Sequence, residues 1–200
     1  MIKNIIFDFG DIFINLDKQV VFRAVKNNDI HEFLPRYSEL NNDLEVGKID
    51  PDEFLDRLQT DFPHLSTTEI ADIWNSMLLD FPEYRLNFIE GLANEKKYRL
   101  FLLSNTNALH IPHVGQIMGR DHYARFKGCF EQFYLSHEIG LRKPNREIYQ
   151  FVLDQNNLQA SETLFIDDTI ENTEAAATLG IQTWNLQVGK EDIIQLKERL

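Results

Sequence analysis

Four separate stretches of this chain end an apolar run on a group that can do chemistry. Asp8 closes "IIFD", Ser104 and Asn105 follow "LFLL", Lys143 lies in "GLRKP" beyond "QFYL", and Asp167 and Asp168 follow "TLFI". Three carboxylates brought together repel one another unless a cation neutralises them. Oxygen donors of this kind suit Mg²⁺, which keeps several waters and binds through one or two carboxylates. A lysine with a hydroxyl and an amide suits the non-bridging oxygens of a phosphate, the lysine serving as a point charge. An aspartate can attack phosphorus and form an aspartyl-phosphate that water then hydrolyses, with a cation and Lys143 stabilising the equatorial oxygens. Asn172 follows Asp168 by one helical turn, on the same face, where it can orient Lys143 or a metal-bound water.

The elements that must position these groups are legible as short apolar runs. Residues 4–7, 98–104, 132–135, 163–166 and 182–186 read as buried strands. Between the later ones lie helical patterns. "NREIYQFVLDQNN" follows Pro144 and puts Ile148 and Val152 on one face, and alanine-rich "IENTEAAATLG" ends at Gly180 as a cap. Strands alternating with helices predict an α/β fold: a doubly wound, Rossmann-like parallel sheet. In such a sheet ligands bind at the carboxyl ends of the strands. All four chemical stretches fall there.

Residues 15–86 break the alternation, with amphipathic helical stretches and no confident strand. "DPDEFLDRLQ" offers Asp50 as cap, Pro51 first and Glu53 three on, and "STTEIADIWNSML" repeats the pattern with Ser66 or Thr67 and Glu69. The expected organisation is a core domain from residues 1–14 plus 87–200 and an inserted α-helical cap domain, 15–86. Its aromatics (Phe22, Phe33, Tyr37, Phe54, Phe62, Trp74) are read mostly as core, with one or two lining a pocket. The turn around Glu45, Gly47 and Lys48 is expected to read substrate, because loops over an active edge carry specificity. "KEDIIQLKERL" reads as a closing amphipathic helix.

Taken together, "FDFGDIF", "LLSNTN", "GLRKP" and "FIDDTIEN", in that order over residues 4 to about 180, resemble the four motifs of the haloacid dehalogenase superfamily, in the branch with a helical cap after the first motif. "EVGKIDPDEF" is similar to that branch's cap turn. The resemblance implies a phosphatase with Asp8 as nucleophile. It implies Mg²⁺ held by Asp8, the Gly10 carbonyl and Asp168, with Asp167 behind or bridged by water. It also implies a phosphate held by Ser104, Asn105 and Lys143.

One position departs from the family. Its phosphatases carry a second aspartate two residues after the nucleophile, which protonates the leaving oxygen and later activates water, a contribution of about 10²–10⁴-fold. Here that position is Gly10. Asp11 is one residue further and is expected to point elsewhere. Bacterial glucose-1-phosphate phosphatases are similar in having Asp-x-Gly, Ser-Asn-Thr-Asn and Arg-Lys-Pro motifs, and a sugar 1-phosphate has a relatively good leaving group. The expectation is a Mg²⁺-dependent phosphatase of a small phosphorylated metabolite, such as a sugar 1-phosphate. Two alternatives stay open: a 2-haloacid dehalogenase-type hydrolase, and a non-catalytic member that binds a phosphate ligand.

Composition narrows the partners. Twenty Lys and Arg against 32 Asp and Glu give a net charge of −12, which disfavours nucleic acid and anionic membranes. A single cysteine, Cys129, precludes an internal disulfide. No signal-peptide pattern or membrane-length apolar run is seen, so a cytoplasmic monomer or homodimer is expected. His110 and His113, three apart with Pro112 between, are read as a solvated face or pocket rim rather than metal ligands.

Overall fold

The computed structural model describes residues 1–20, 23 and 30–200, and the side chains of 30–35 lie outside the description. Five strands form one parallel sheet: β1 (Asn4–Phe7), β2 (Arg99–Ser104), β3 (Gln132–Leu135), β4 (Thr163–Asp167) and β5 (Gln182–Asn185), ordered β3-β2-β1-β4-β5. The helices are α1 (Ile30–Glu45), α2 (Pro51–Asp61), α3 (Thr67–Asn75), α4 (Glu83–Asn94), α5 (His110–Met118), α6 (Arg120–Lys127), α7 (Ser136–Ile139), α8 (Arg146–Asn156) and α9 (Ile170–Ala177). Among the described residues no helix is long and apolar enough to cross a membrane.

The strands read as unbroken apolar runs because both faces of the sheet are covered. Alternate side chains go to opposite faces. Ile5, Phe7, Leu100, Leu102, Leu164 and Ile166 join one core with residues of α4 to α6, while Ile6, Phe101, Leu103 and Phe165 join another against α8 and α9. Phe7 lies opposite both Leu102 and Ile166, so the carboxyl ends of β1, β2 and β4 finish almost level. The order reverses around β1, with β2 on one side and β4 on the other, and that reversal opens the ligand-binding crevice of such sheets.

Between β1 and β2 the described residues carry α1 to α4. Helices α1 to α3 share a separate core of Leu44, Ile49, Phe54, Leu55, Leu58, Ile70 and Trp74. Ser66 and Glu69 form the reciprocal capping box at α3. At α2 Asp50 does accept from the Glu53 backbone, but the Glu53 carboxylate turns to Arg57 instead. Phe54 and Trp74 are core as expected, and Tyr37 and Phe62 pack against them. Phe22 and the side chain of Phe33 lie outside the described residues. The C-terminal helix is a correction: residues Ile193–Glu198 form a 3₁₀ segment capped by Asp192, with Ile193 and Leu196 buried. Six residues are too few for the broad apolar stripe that an α-helix would present. Gly180 also falls beyond the end of α9, which closes at Thr178, and supplies a positive φ of 82° in the turn to β5.

The two chain segments leading into and out of the helical insertion pair with one another. Leu16 bridges Leu78 antiparallel, Asn15 N donates to Asp80 O at 2.9 Å, and Asp17 N donates to Met77 O at 2.8 Å. Arg85, buried on α4, clamps this ribbon. Its Nη1 reaches Phe13 O and Asn15 Oδ1, and its Nε and Nη2 hold Asp192 Oδ2. Removing the guanidinium strands Phe13 O and Asn15 Oδ1 and leaves Asp192 Oδ2 with the Tyr84 hydroxyl, so Arg85→Ala should lower the unfolding free energy by about 2–3 kcal/mol. Urea denaturation of the two proteins measures it.

Candidate active site

The site is organised on Lys143, whose side chain is 1% exposed. Its Nζ lies 2.6 Å from Asp8 Oδ1 and 2.7 Å from Asp167 Oδ2. Asp8 extends β1 by one residue, with its N–H donating to Ile166 O on β4. Asn105, just past β2, pins the lysine by its main chain: Asn105 Nδ2 donates to Lys143 O and Lys143 N donates to Asn105 Oδ1, both at 2.8 Å. Asn172 Nδ2 donates to both carboxylate oxygens of Asp167 at 3.0 Å, and Thr169 N donates to Asp167 Oδ1 at 2.8 Å. Tyr149 Oη in turn donates to Asn172 O.

Burial opposes every charge here. It is the largest influence on Asp8 and pushes its carboxyl up to about 7, with Lys143 pulling the other way and Asp167 and Asp168 adding to the rise. Burial likewise raises Asp168, against the pull of Lys18. For Lys143 burial works downward, but Asp167 and Asp8 outweigh it and hold the ammonium above its usual value. A divalent cation would relieve the carboxylates. Asp8, Asp167 and Asp168 offer oxygens within 4.8 Å of one another. That all-oxygen donor set fits Mg²⁺.

Asp8, Gly10, Glu45, Ser104, Asn105, Lys143, Asp168 and Asn172, all predicted from sequence, line one cavity of about 760 Å³. Asp167 lies beneath it, fully buried. Three of the predicted residues have contacts that the sequence does not show. Asn172 acts on Asp167 rather than on Lys143 directly. Asn105 commits its amide to the Lys143 backbone, leaving one amide proton for any ligand. Gly47 does not line the cavity: at φ 66° it packs on the core, where an added Cβ would stand 2.5 Å from His137 O.

Asp11 also lies off the cavity lining. Its φ is 55°, its Oδ1 accepts from Leu16 N at 3.0 Å and its Oδ2 meets Lys18 Nζ at 2.9 Å. His110 lines the cavity, as the pocket-rim reading expects, but does not lie on a solvated face. The imidazole is 7% exposed, stacks on Trp74 at 5.5 Å and is pushed down to about 4 by burial, so it is neutral.

Lys18, Arg142, Ser38 and Asn41 line the cavity without having been singled out. Arg142 Nε donates to Glu45 Oε2 at 2.9 Å and Asn41 Nδ2 donates to Glu45 Oε1 at 3.2 Å, which ties α1 to the loop carrying Lys143. Lys18 Nζ meets Asp168 Oδ2 at 2.6 Å. The only signal for Arg142 is its place beside Lys143. For Lys18 it is a basic residue soon after the first motif.

The haloacid dehalogenase-like hydrolase family profile matches residues 2–180. The chain is 30% identical to a D-ribitol-5-phosphate phosphatase of Bacteroides thetaiotaomicron over 197 residues, covering 96% of this chain and 95% of that one. It is 26% identical to a sesquiterpene phosphatase of Aspergillus oryzae, covering 98% and 95%. A HAD family enzyme of B. thetaiotaomicron, solved in complex with magnesium and inorganic phosphate, superposes with a TM-score of 0.79 at 32% identity, covering 96% of this chain and 97% of that one. Magnesium at a hundred times its Kd should stabilise the fold by about 2.7 kcal/mol. Asp168→Asn should lose that gain in a thermal-shift titration.

Proposed function

The chain belongs to the haloacid dehalogenase-like hydrolases, and from that premise we propose a Mg²⁺-dependent phosphatase of a small polyhydroxylated phosphate monoester, a sugar or polyol phosphate. The observation that carries the reading is the buried ammonium of Lys143 held between Asp8 and Asp167 on the cavity wall. One Asp8 oxygen is engaged by Lys143, leaving the other to attack phosphorus. The P–O bond to the leaving group breaks as the Asp8–phosphate bond forms, and the leaving oxygen takes its proton from solvent. Water then attacks phosphorus, the Asp8–phosphate bond breaks to regenerate Asp8, and inorganic phosphate leaves with one water proton passing to solvent. Lys143 is placed to offset charge on the transferring group, and Ser104, 3% exposed on the cavity wall, supplies a hydroxyl. Asp8, the Gly10 carbonyl and Asp168 are the residues assigned to Mg²⁺, with Asp167 behind them. Bound there, the cation adds Lewis-acid stabilisation of the phosphoryl oxygens.

Residues 15–86 are assigned as the cap over this site. Beside Tyr37, Trp74, Met77 and Leu78, the cavity is lined by Ser38, Asn41 and Glu45 from α1, spaced along one helical face. Arg142, which is bonded to Glu45, lines it too, and these polar groups support a hydroxyl-bearing substrate. These are assigned to the substrate's hydroxyls, with Gly47 seating the cap turn. A haloacid dehalogenase reading is disfavoured because Asp167 and Asp168 do nothing to hold a substrate carboxylate or release a halide.

Gly10 leaves the leaving oxygen without a neighbouring acid. A side chain there would have to displace Leu16, whose Cδ1 stands 2.7 Å from where a Cβ would be. Hydrolysis should therefore favour substrates with good leaving groups, so phosphate release with Mg²⁺ should be faster from sugar 1-phosphates than from terminal sugar or polyol phosphates, and lost in EDTA. Asp8→Asn should lower kcat by about 10³-fold or more while the protein stays folded. Unchanged turnover in that variant refutes the nucleophile. In Gly10→Asp with Leu16→Ala to make room, release from terminal alkyl phosphates should rise while that from 1-phosphates changes little.

A further inference from the structure

Lys18 is the cation of this site that the proposed chemistry leaves without a task. It stands on the segment leading into the helical insertion, with its side chain half exposed, and its ammonium bridges two carboxylates: Asp168 Oδ2 at 2.6 Å and Asp11 Oδ2 at 2.9 Å. Asp168 in turn belongs to the oxygen cluster with Asp8 and Asp167. Fully ionised, the four carboxylates Asp8, Asp11, Asp167 and Asp168 and the two ammonium groups Lys18 and Lys143 leave a charge of −2, which one divalent cation cancels.

The two lysines are not equivalent. Lys143 is 1% exposed, clamped by its own backbone to Asn105, and joined to Asp8 and Asp167. Lys18 is 50% exposed, so its ammonium can exchange Asp168 for water while keeping Asp11. Its main chain is local to the ribbon: Asp17 N pairs with Met77 O, and Asp17 Oδ1 accepts from Gln19 N.

We infer that Lys18 is an internal counter-ion that competes with Mg²⁺ for Asp168, so that arrival of the metal releases this lysine and with it the segment leading to the cap. The inference rests on the Mg²⁺ site proposed above. It makes Lys18 a positioning residue that sets metal affinity, rather than a group that touches phosphate. A cation a few ångströms from a divalent ion repels it appreciably even in water, and partial screening reduces but does not remove the effect.

The test is isothermal titration of Mg²⁺ into the full chain, wild type against Lys18→Met and Lys18→Gln. Circular dichroism checks that both variants fold, as the exposure of the side chain allows. Removal of the competitor should tighten Mg²⁺ binding about 3- to 10-fold at moderate ionic strength. Hydrogen exchange gives a second readout: amides of residues 17–19 should exchange faster on adding Mg²⁺ to the wild type and show no such change in Lys18→Met. Unchanged or weaker Mg²⁺ binding in both variants overturns the inference while leaving the metal site standing. A wild type that binds no Mg²⁺, like Asp168→Asn, overturns both together.

Discussion

The structure depends on one buried ammonium. Lys143 lies out of water between Asp8 and Asp167, with the ring of Phe165 5.4 Å from its Nζ. Taking such a group out of water costs several kcal/mol, and buried ion pairs do not reliably repay that in stability. What the arrangement secures is position. The lysine and one of its partners are each held by a neutral amide: Asn105 on the lysine's backbone and Asn172 on Asp167. Neutral holders fix geometry without adding to the charge already crowded there.

The sheet exists in this form to bring those partners level. Lys143 comes from the loop after α7, Asp8 from the end of β1 and Asp167 from the end of β4. In-register parallel pairing of β1 with β2 and β4 converts distant sequence positions into neighbours at one edge. The two-faced apolar core makes that register firm, because a one-residue slip would turn every strand side chain to the wrong face. Residues between β1 and β2 meet this edge through Glu45 and Arg142, the Trp74–His110 stack and the Gly47 contact.

Much of this was legible in the sequence, for a physical reason. Strands of a doubly covered sheet are apolar throughout, so all five stood out, and polar groups directly after them marked the edge. What escaped was pairing between far-separated positions. Arg85 with Asp192, Arg142 with Glu45 and Lys18 with Asp168 span 107, 97 and 150 residues, and each arginine or lysine looks locally like any surface cation. That His110 takes the pocket side rather than a solvated face was not legible, because it depends on Asn107, whose Oδ1 accepts from His110 N and whose Nδ2 meets the imidazole Nδ1. The C-terminal segment has helical periodicity, yet only six of its residues wind, as 3₁₀. Gly10 could be noticed in the sequence, but Leu16, packed where a side chain would go, needed the fold.

The central claim is that Asp8, presented beside Lys143, is the atom source for a covalent phosphoryl intermediate. The direct measurement is chemical trapping during turnover: rapid quench with substrate and Mg²⁺, borohydride reduction of any acyl phosphate, and peptide mass spectrometry. The account expects reduction of the Asp8 side chain to the corresponding alcohol, dependent on substrate, with Asp11, Asp167 and Asp168 unmodified. Reduction at another of these carboxylates, or none at any of them while phosphate is being released, would contradict it.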